Sequence, residues 1–128
     1  MTSRFTELAV DAHDTHALAE FWCRVLDYRI IDEDEDVVEI GVAELTPAEV
    51  LSGPVPPTIV FAPVPEGKTV KNRLHIDVNP IDRDPAEEVE RLIALGATRA
   101  DVGQGDVPWT VMADPEGNEF CVLRRLES

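Results

Sequence analysis

Among the residues of this chain able to do chemistry, His75 and Asp77 stand out first. They lie two apart in Arg73-Leu-His-Ile-Asp-Val-Asn79. In a strand, side chains alternate sides with period two. Arg73, His75, Asp77 and Asn79 therefore share one face, and Leu74, Ile76 and Val78 share the other. A polar strand face with an imidazole and a carboxylate two residues apart suits the wall of a polar cavity. Candidate partners for His75 are Glu119, which opens the last apolar stretch, and Glu7, which opens the first.

Placing those donors requires elements. Phe5 to Asp11 alternates like the strand at 73–79. Asp14 is an N-cap, and Leu18, Phe21, Trp22, Val25 and Leu26 follow as one apolar helical stripe. Two strands, 28–32 and 37–43, flank the acidic run Asp32–Asp36, read as a solvated turn. One helical turn is expected at Pro47–Leu51 and a fourth strand from Thr58 to Val64. After the strand at 73–79, Asp84, Pro85 and Glu87 form a capping box with proline at the first helical position. Val89, Leu92 and Ile93 continue that helix, and Gly96 stops it. Short strands follow at 97–102, 109–113 and 119–124. Asp114-Pro-Glu-Gly117 has the composition of a type I turn. On the last strand Glu119, Cys121 and Leu123 share a face.

The two halves repeat. Glu7-Leu-Ala-Val-Asp11 lies over His75-Ile-Asp-Val-Asn79, residue 7 falling on residue 75, and both halves read strand, helix, strand, strand, strand. The expected fold class is α+β. Two tandem βαβββ modules, 4–66 and 72–126, make one domain, an open curved sheet around a cleft with helices outside. In this register Glu7 and His75 are equivalent positions. A histidine and two carboxylates, Glu7 and Glu119, brought together from separate strands would make a divalent-metal site.

Composition bounds the rest. The chain has 128 residues, is 44 % apolar and carries a net charge of −15 (11 basic residues against 26 acidic). A chain of this length buries roughly two thirds of its unfolded surface. The charge argues against nucleic acid and anionic membranes and is compatible with a cationic ligand or metal, acidity alone being mostly a matter of solubility. No apolar run reaches the roughly 20 residues of a membrane span, and no signal-peptide core follows Met1. Cytoplasmic localisation is the expectation. Cys23 and Cys121 have no close-spaced cysteine partner and read as reduced, buried thiols, not as a disulfide or zinc framework.

Several strings resemble the glyoxalase-like branch of the vicinal oxygen chelate superfamily, the glyoxalase / bleomycin-resistance / dihydroxybiphenyl dioxygenase group. They are Lys71-Asn-Arg-Leu-His-Ile-Asp77, Glu88-Val-Glu-Arg-Leu92 with Leu95-Gly-Ala-Thr98, and Asp114-Pro-Glu-Gly-Asn-Glu-Phe-Cys-Val-Leu123. Asp11-Ala-His-Asp14, Ala19-Glu-Phe-Trp22 and Phe61-Ala-Pro-Val-Pro-Glu66 look like its first-module signatures. The resemblance implies paired βαβββ modules and a divalent metal (Zn, Mg, Mn, Fe or Ni), without an organic cofactor. Its metal positions fall at Glu7, His75, Glu119 and a fourth near Val60 or Ala62. Neither of those two residues carries a donor, so three protein ligands completed by water are implied.

Two functions follow from the resemblance. One is a metal-dependent lyase, isomerase or dioxygenase acting on a small oxygen-bearing metabolite, with Glu7 or Glu119 as the proton-transfer base. The other is a metal-free protein of the bleomycin-resistance type, sequestering a cationic or aromatic small molecule and usually dimeric. Trp109, Asp77, Asn79, Asp11 and Arg73 are the expected ligand-contacting residues, and the protein is expected to be a homodimer.

Overall fold

The computed structural model describes residues 2–127. The fold is α+β, with the order strand, helix, strand, strand, strand running through both halves and a short extra helix before the last strand of the first. Two compact units divide the chain, 1–67 and 68–128. The first contains β1 (Glu7–Ala12), α1 (Thr15–Leu26), β2 (Arg29–Asp34), β3 (Val37–Gly41), a short α2 (Pro47–Ser52) and β4 (Thr58–Pro63). The second contains β5 (Ile76–Val78), α3 (Pro85–Leu95), β6 (Thr98–Arg99), β7 (Thr110–Ala113) and β8 (Glu119–Val122). Each forms one four-stranded sheet, in the order β1-β4-β3-β2 and β5-β8-β7-β6. In both, the first strand pairs with the last in parallel and the other pairings are antiparallel. The repeat seen in residue letters is thus a repeat of topology.

In the first unit the Asp14 carboxylate accepts from the Ala17 N–H and starts α1; Asp27 ends it in the left-handed region at φ 56°. Leu18, Ala19, Phe21 and Trp22 are buried on α1, as are Val38, Ile40, Ile59 and Phe61 on β3 and β4. Phe21 and Trp22 meet edge to face with centroids 5.4 Å apart, so Trp22 is core. Strand alternation then turns Glu39 and Thr58 to the sheet's opposite face. Arg4 Nε donates to the Val50 carbonyl at 2.9 Å and ties α2 to the N-terminal segment.

In the second unit Asp84 and Glu87 form the capping box, Pro85 opens α3 and Gly96 closes it at φ 119°. Val89 and Leu92 are buried with Val111, Met112, Phe120 and Val122. Glu88 is also buried, and Arg91 answers it with a two-pronged ion pair at 2.7 and 2.8 Å. Arg91 sits one turn on, where i,i+3 side chains meet. Among the described residues, no helix is long and apolar enough to cross a membrane.

Several boundaries differ from the sequence reading. β5 is three residues long, because the Asn72 side chain donates to the Leu74 carbonyl at 3.0 Å and occupies locally a group the ladder would have used. Leu74, expected on the apolar face, is 79 % exposed. β2 extends through Asp34, leaving Glu35 and Asp36 as the turn, with Glu35 at φ 55°. A left-handed residue at a two-residue turn matches the twist of the strand pair. β6 stops at Arg99; the Ala100 N–H still reaches the Val111 carbonyl at 3.0 Å, and side chains take over the backbone donors at Val102 and Gly103. Gln104 accepts from the Val102 N–H and Asp101 from the Gly103 N–H, each at 2.8 Å.

Candidate functional site

The second sheet aligns its polar residues by register. Asp77 on β5 lies directly opposite Cys121 on β8. His75 precedes Asp77 by two, so its side chain leaves on the same side. The imidazole Nδ1 is 2.9 Å from an Asp77 carboxylate oxygen and 3.8 Å from the Cys121 sulfur. One donor atom from each of the three residues falls within 4.8 Å of the others. Cys121 is buried at 5 % exposure, while the His75 and Asp77 side chains remain 44 % and 46 % exposed. Burial pushes the Cys121 thiol above its ordinary range. The charge of Asp77 and its hydrogen bond add to that rise, and Lys71 opposes it.

Glu119 begins β8 with different partners. Lys68 Nζ lies 2.7 Å from one of its oxygens, and the Asn72 N–H donates to the carboxylate at 3.2 Å. The Asn72 side-chain oxygen accepts the Glu119 N–H in return, at 3.4 Å. Burial by itself would raise this carboxyl, but Lys68 and the backbone N–H groups outweigh it and hold Glu119 below the usual carboxylate range. A group with a depressed folded-state pKa stabilises the fold above its unfolded value, and that stability is lost as pH falls through the folded value. Acid unfolding therefore draws on this pair. Urea midpoints measured from pH 7 down to pH 3 should fall less steeply for Glu119→Gln than for the native chain, and an unchanged slope would contradict the assignment.

Two positioning devices keep β5 and β8 in place. Asn79, expected as a ligand contact, spends its side-chain amide on the Arg124 carbonyl at 2.8 Å. Asp114 is 3 % exposed. It accepts from the N–H groups of Glu116 and Asn118 at 2.9 and 3.0 Å and from the Asn118 amide. Gly117 at φ 88° completes that turn, which places Ala113 opposite Glu119. Arg73 is exposed in the segment before β5, and Trp109, one residue before β7, is 41 % exposed.

In the first unit, Glu7 pairs with Thr58 across β1 and β4. Both line a cleft of about 360 Å³ with Glu39, Glu44 and the apolar side chains of Ile31 and Val50. The Thr58 hydroxyl donates to Glu39 at 2.6 Å. Val60, the donorless position, lies between Ala9 on β1 and Glu39 on β3. Glu39 was not singled out from sequence, yet it carried a signal. It is the lone charge in Val37-Val-Glu-Ile-Gly41, a strand whose Val38 and Ile40 are core. Asp11 lies exposed on β1, opposite Ala62.

Residues 7–123 match the family model described as glyoxalase-like domain. This chain belongs to the glyoxalase-like domain family. Solved structures agree on the fold of the glyoxalase-like domain. A glyoxalase/bleomycin resistance protein/dioxygenase family enzyme from Burkholderia phytofirmans is 17 % identical over 94 % of this chain and 97 % of its own, with a TM-score of 0.63. The fosfomycin resistance protein FosX from Mesorhizobium loti is 13 % identical over 95 % of this chain and 92 % of its own, TM-score 0.65. FosX from Listeria monocytogenes, solved with Mn(II) and a sulfate ion, is 14 % identical over 95 % and 92 %, TM-score 0.67. No curated protein matches the chain at a significant level. The family is part of the vicinal oxygen chelate superfamily, as the sequence strings imply.

Proposed function

We propose that this glyoxalase-like protein is a divalent-metal-dependent enzyme, a lyase, isomerase or dioxygenase, acting on a small oxygen-bearing metabolite. The observation that carries this reading is the convergence of imidazole, carboxylate and thiol donors at His75, Asp77 and Cys121. FosX from Listeria monocytogenes, a structural neighbour, was solved with Mn(II). A metal held by His75 would polarise a substrate oxygen and stabilise negative charge developing on it. The chain's own residues do the rest. His75, Asp77 and Cys121 would hold that ion between them. Glu119, paired with Lys68, and Glu7 are the two proposed proton-transfer bases. The proposed substrate contacts are Asp77, Arg73 and Trp109 in the second unit and Asp11 in the first, with Arg73 the cation among them, while Asn79 braces its strand through the Arg124 carbonyl. The proposal includes a homodimer working in the cytoplasm.

A second reading, a metal-free protein that sequesters a cationic or aromatic molecule, is favoured by one observation. The first-unit cleft combines the carboxylates of Glu7, Glu39 and Glu44 with apolar walls, and none of its lining residues is cationic.

One experiment separates the two. Protein purified without chelator is analysed for metal, and its melting temperature is followed against benzyltrimethylammonium. Metal bound in stoichiometric amount and lost in His75→Ala supports the enzyme. A metal-free protein, stabilised by the ammonium probe in a manner abolished by Glu39→Gln, overturns the enzyme and supports the binder.

A further inference from the structure

We infer that the cation site of the second unit is built on a thiolate. His75, Asp77 and Cys121 form the donor set for a borderline divalent ion of the zinc or cobalt kind, and Glu119 stands outside it. This rests on the metal-dependent reading above and deepens it, naming the class of ion and departing from the ligands expected from sequence. The sequence reading and the family resemblance place the metal on Glu7, His75 and Glu119.

Register is the first support. Asp77 and Cys121 are direct partners in a parallel pair, and His75 projects from the same side. These donors are therefore gathered by backbone pairing, not by chance approach of long side chains. Distance is the second. A tetrahedral ion with bonds of about 2.0–2.3 Å to nitrogen, oxygen and sulfur sets its donors about 3.3–3.7 Å apart. The His75–Asp77 and His75–Cys121 separations, 2.9 and 3.8 Å, lie to either side of that range. Small rotations about χ1 and χ2 of two exposed side chains would meet it.

Donor chemistry is the third. A nitrogen, a carboxylate oxygen and a sulfur suit zinc and cobalt, whereas magnesium and calcium take oxygen ligands almost throughout. Three protein ligands with an open fourth position are the pattern of reactive zinc sites. The exposure of His75 and Asp77 leaves such a position open to water or substrate. Glu119 supplies the last argument. Its carboxylate is already neutralised by Lys68 at 2.7 Å, and drawing it onto an ion would leave that ammonium, with its side chain only 22 % exposed, unpaired beside a second cation. In binding the ion Cys121 gives its proton to the solvent and nothing is oxidised or reduced.

Cobalt(II) is the probe, titrated into the full reduced chain and followed by absorption. The expected result is a near-ultraviolet thiolate-to-cobalt charge-transfer band together with visible bands of tetrahedral intensity, and zinc should bleach both. Cys121→Ser should lose the charge-transfer band and weaken binding by tenfold or more, while Glu119→Gln keeps both. Asp77→Asn, a milder change, should weaken binding and retain the band. Far-ultraviolet circular dichroism checks that each variant is folded. Cobalt bound without a thiolate band, and lost in Glu119→Gln, overturns this inference and leaves the metal-dependent enzyme standing. Neither cobalt nor zinc bound by the folded native chain overturns both.

Discussion

Asp114→Ala is expected to lower the unfolding free energy by about 2–4 kcal/mol. Hydrogen bonds to a charged group contribute about 1.5–3 kcal/mol each, and single changes above about 4–5 kcal/mol are exceptional. The carboxylate accepts from two backbone N–H groups and a side-chain amide while almost fully buried. Alanine leaves those donors without their acceptor in a place water reaches poorly. The same turn fixes which residue of β8 faces which residue of β7. Loosening it loosens the register that sets Cys121 against Asp77, so metal affinity should fall with stability even though Asp114 is no ligand. Asp114→Asn keeps one acceptor oxygen and should recover part of both. Equilibrium urea denaturation measures the first effect and cobalt titration in the absence of urea the second. A loss of under 0.5 kcal/mol would show that the turn does not depend on this side chain.

Phe61→Ala should cost about 3–5 kcal/mol, the usual range for removing a buried aromatic ring. Phe61 is fully buried on β4, with Val10 of β1 and Val38 of β3 as its cross-strand partners. Its loss leaves a cavity between the sheet and α1 that backbone pairing on both sides prevents from collapsing. Phe61→Leu fills most of the volume and should cost distinctly less. Thr58 lies three residues away on the same strand and lines the first-unit cleft. The cleft residues Glu7 and Glu39 therefore stand on a sheet that this core residue holds in shape. Thermal unfolding by circular dichroism would report this, and a melting temperature within one degree of the native protein would refute it.

Local signals were legible in the sequence, and they held where the physics is local. Asp14, the capping box of Asp84 and Glu87, and the Gly96 stop are settled within four residues of backbone. The repeat of five elements was legible because each module must bury its own apolar face. Its consequence, identical strand order in two sheets, follows from chain connectivity. The Asp114 turn was visible from its composition.

What sequence could not decide are the partners across strands. The chain shows that Glu119 and Cys121 share a face, but not that Lys68 and Asn72 reach Glu119. It shows a cysteine that reads as a reduced, buried thiol, and only the β5–β8 register sets that thiol against His75 and Asp77. Glu39 escaped notice for the same reason, since its meaning comes from Thr58 on the next strand. Side-chain direction follows from alternation along one strand, a property of the local backbone. Which donor meets which is set by pairing between segments more than forty residues apart, as Asp77 and Cys121 are. The strand around His75, chemically suggestive by spacing alone, thus acquires its donor set from tertiary structure.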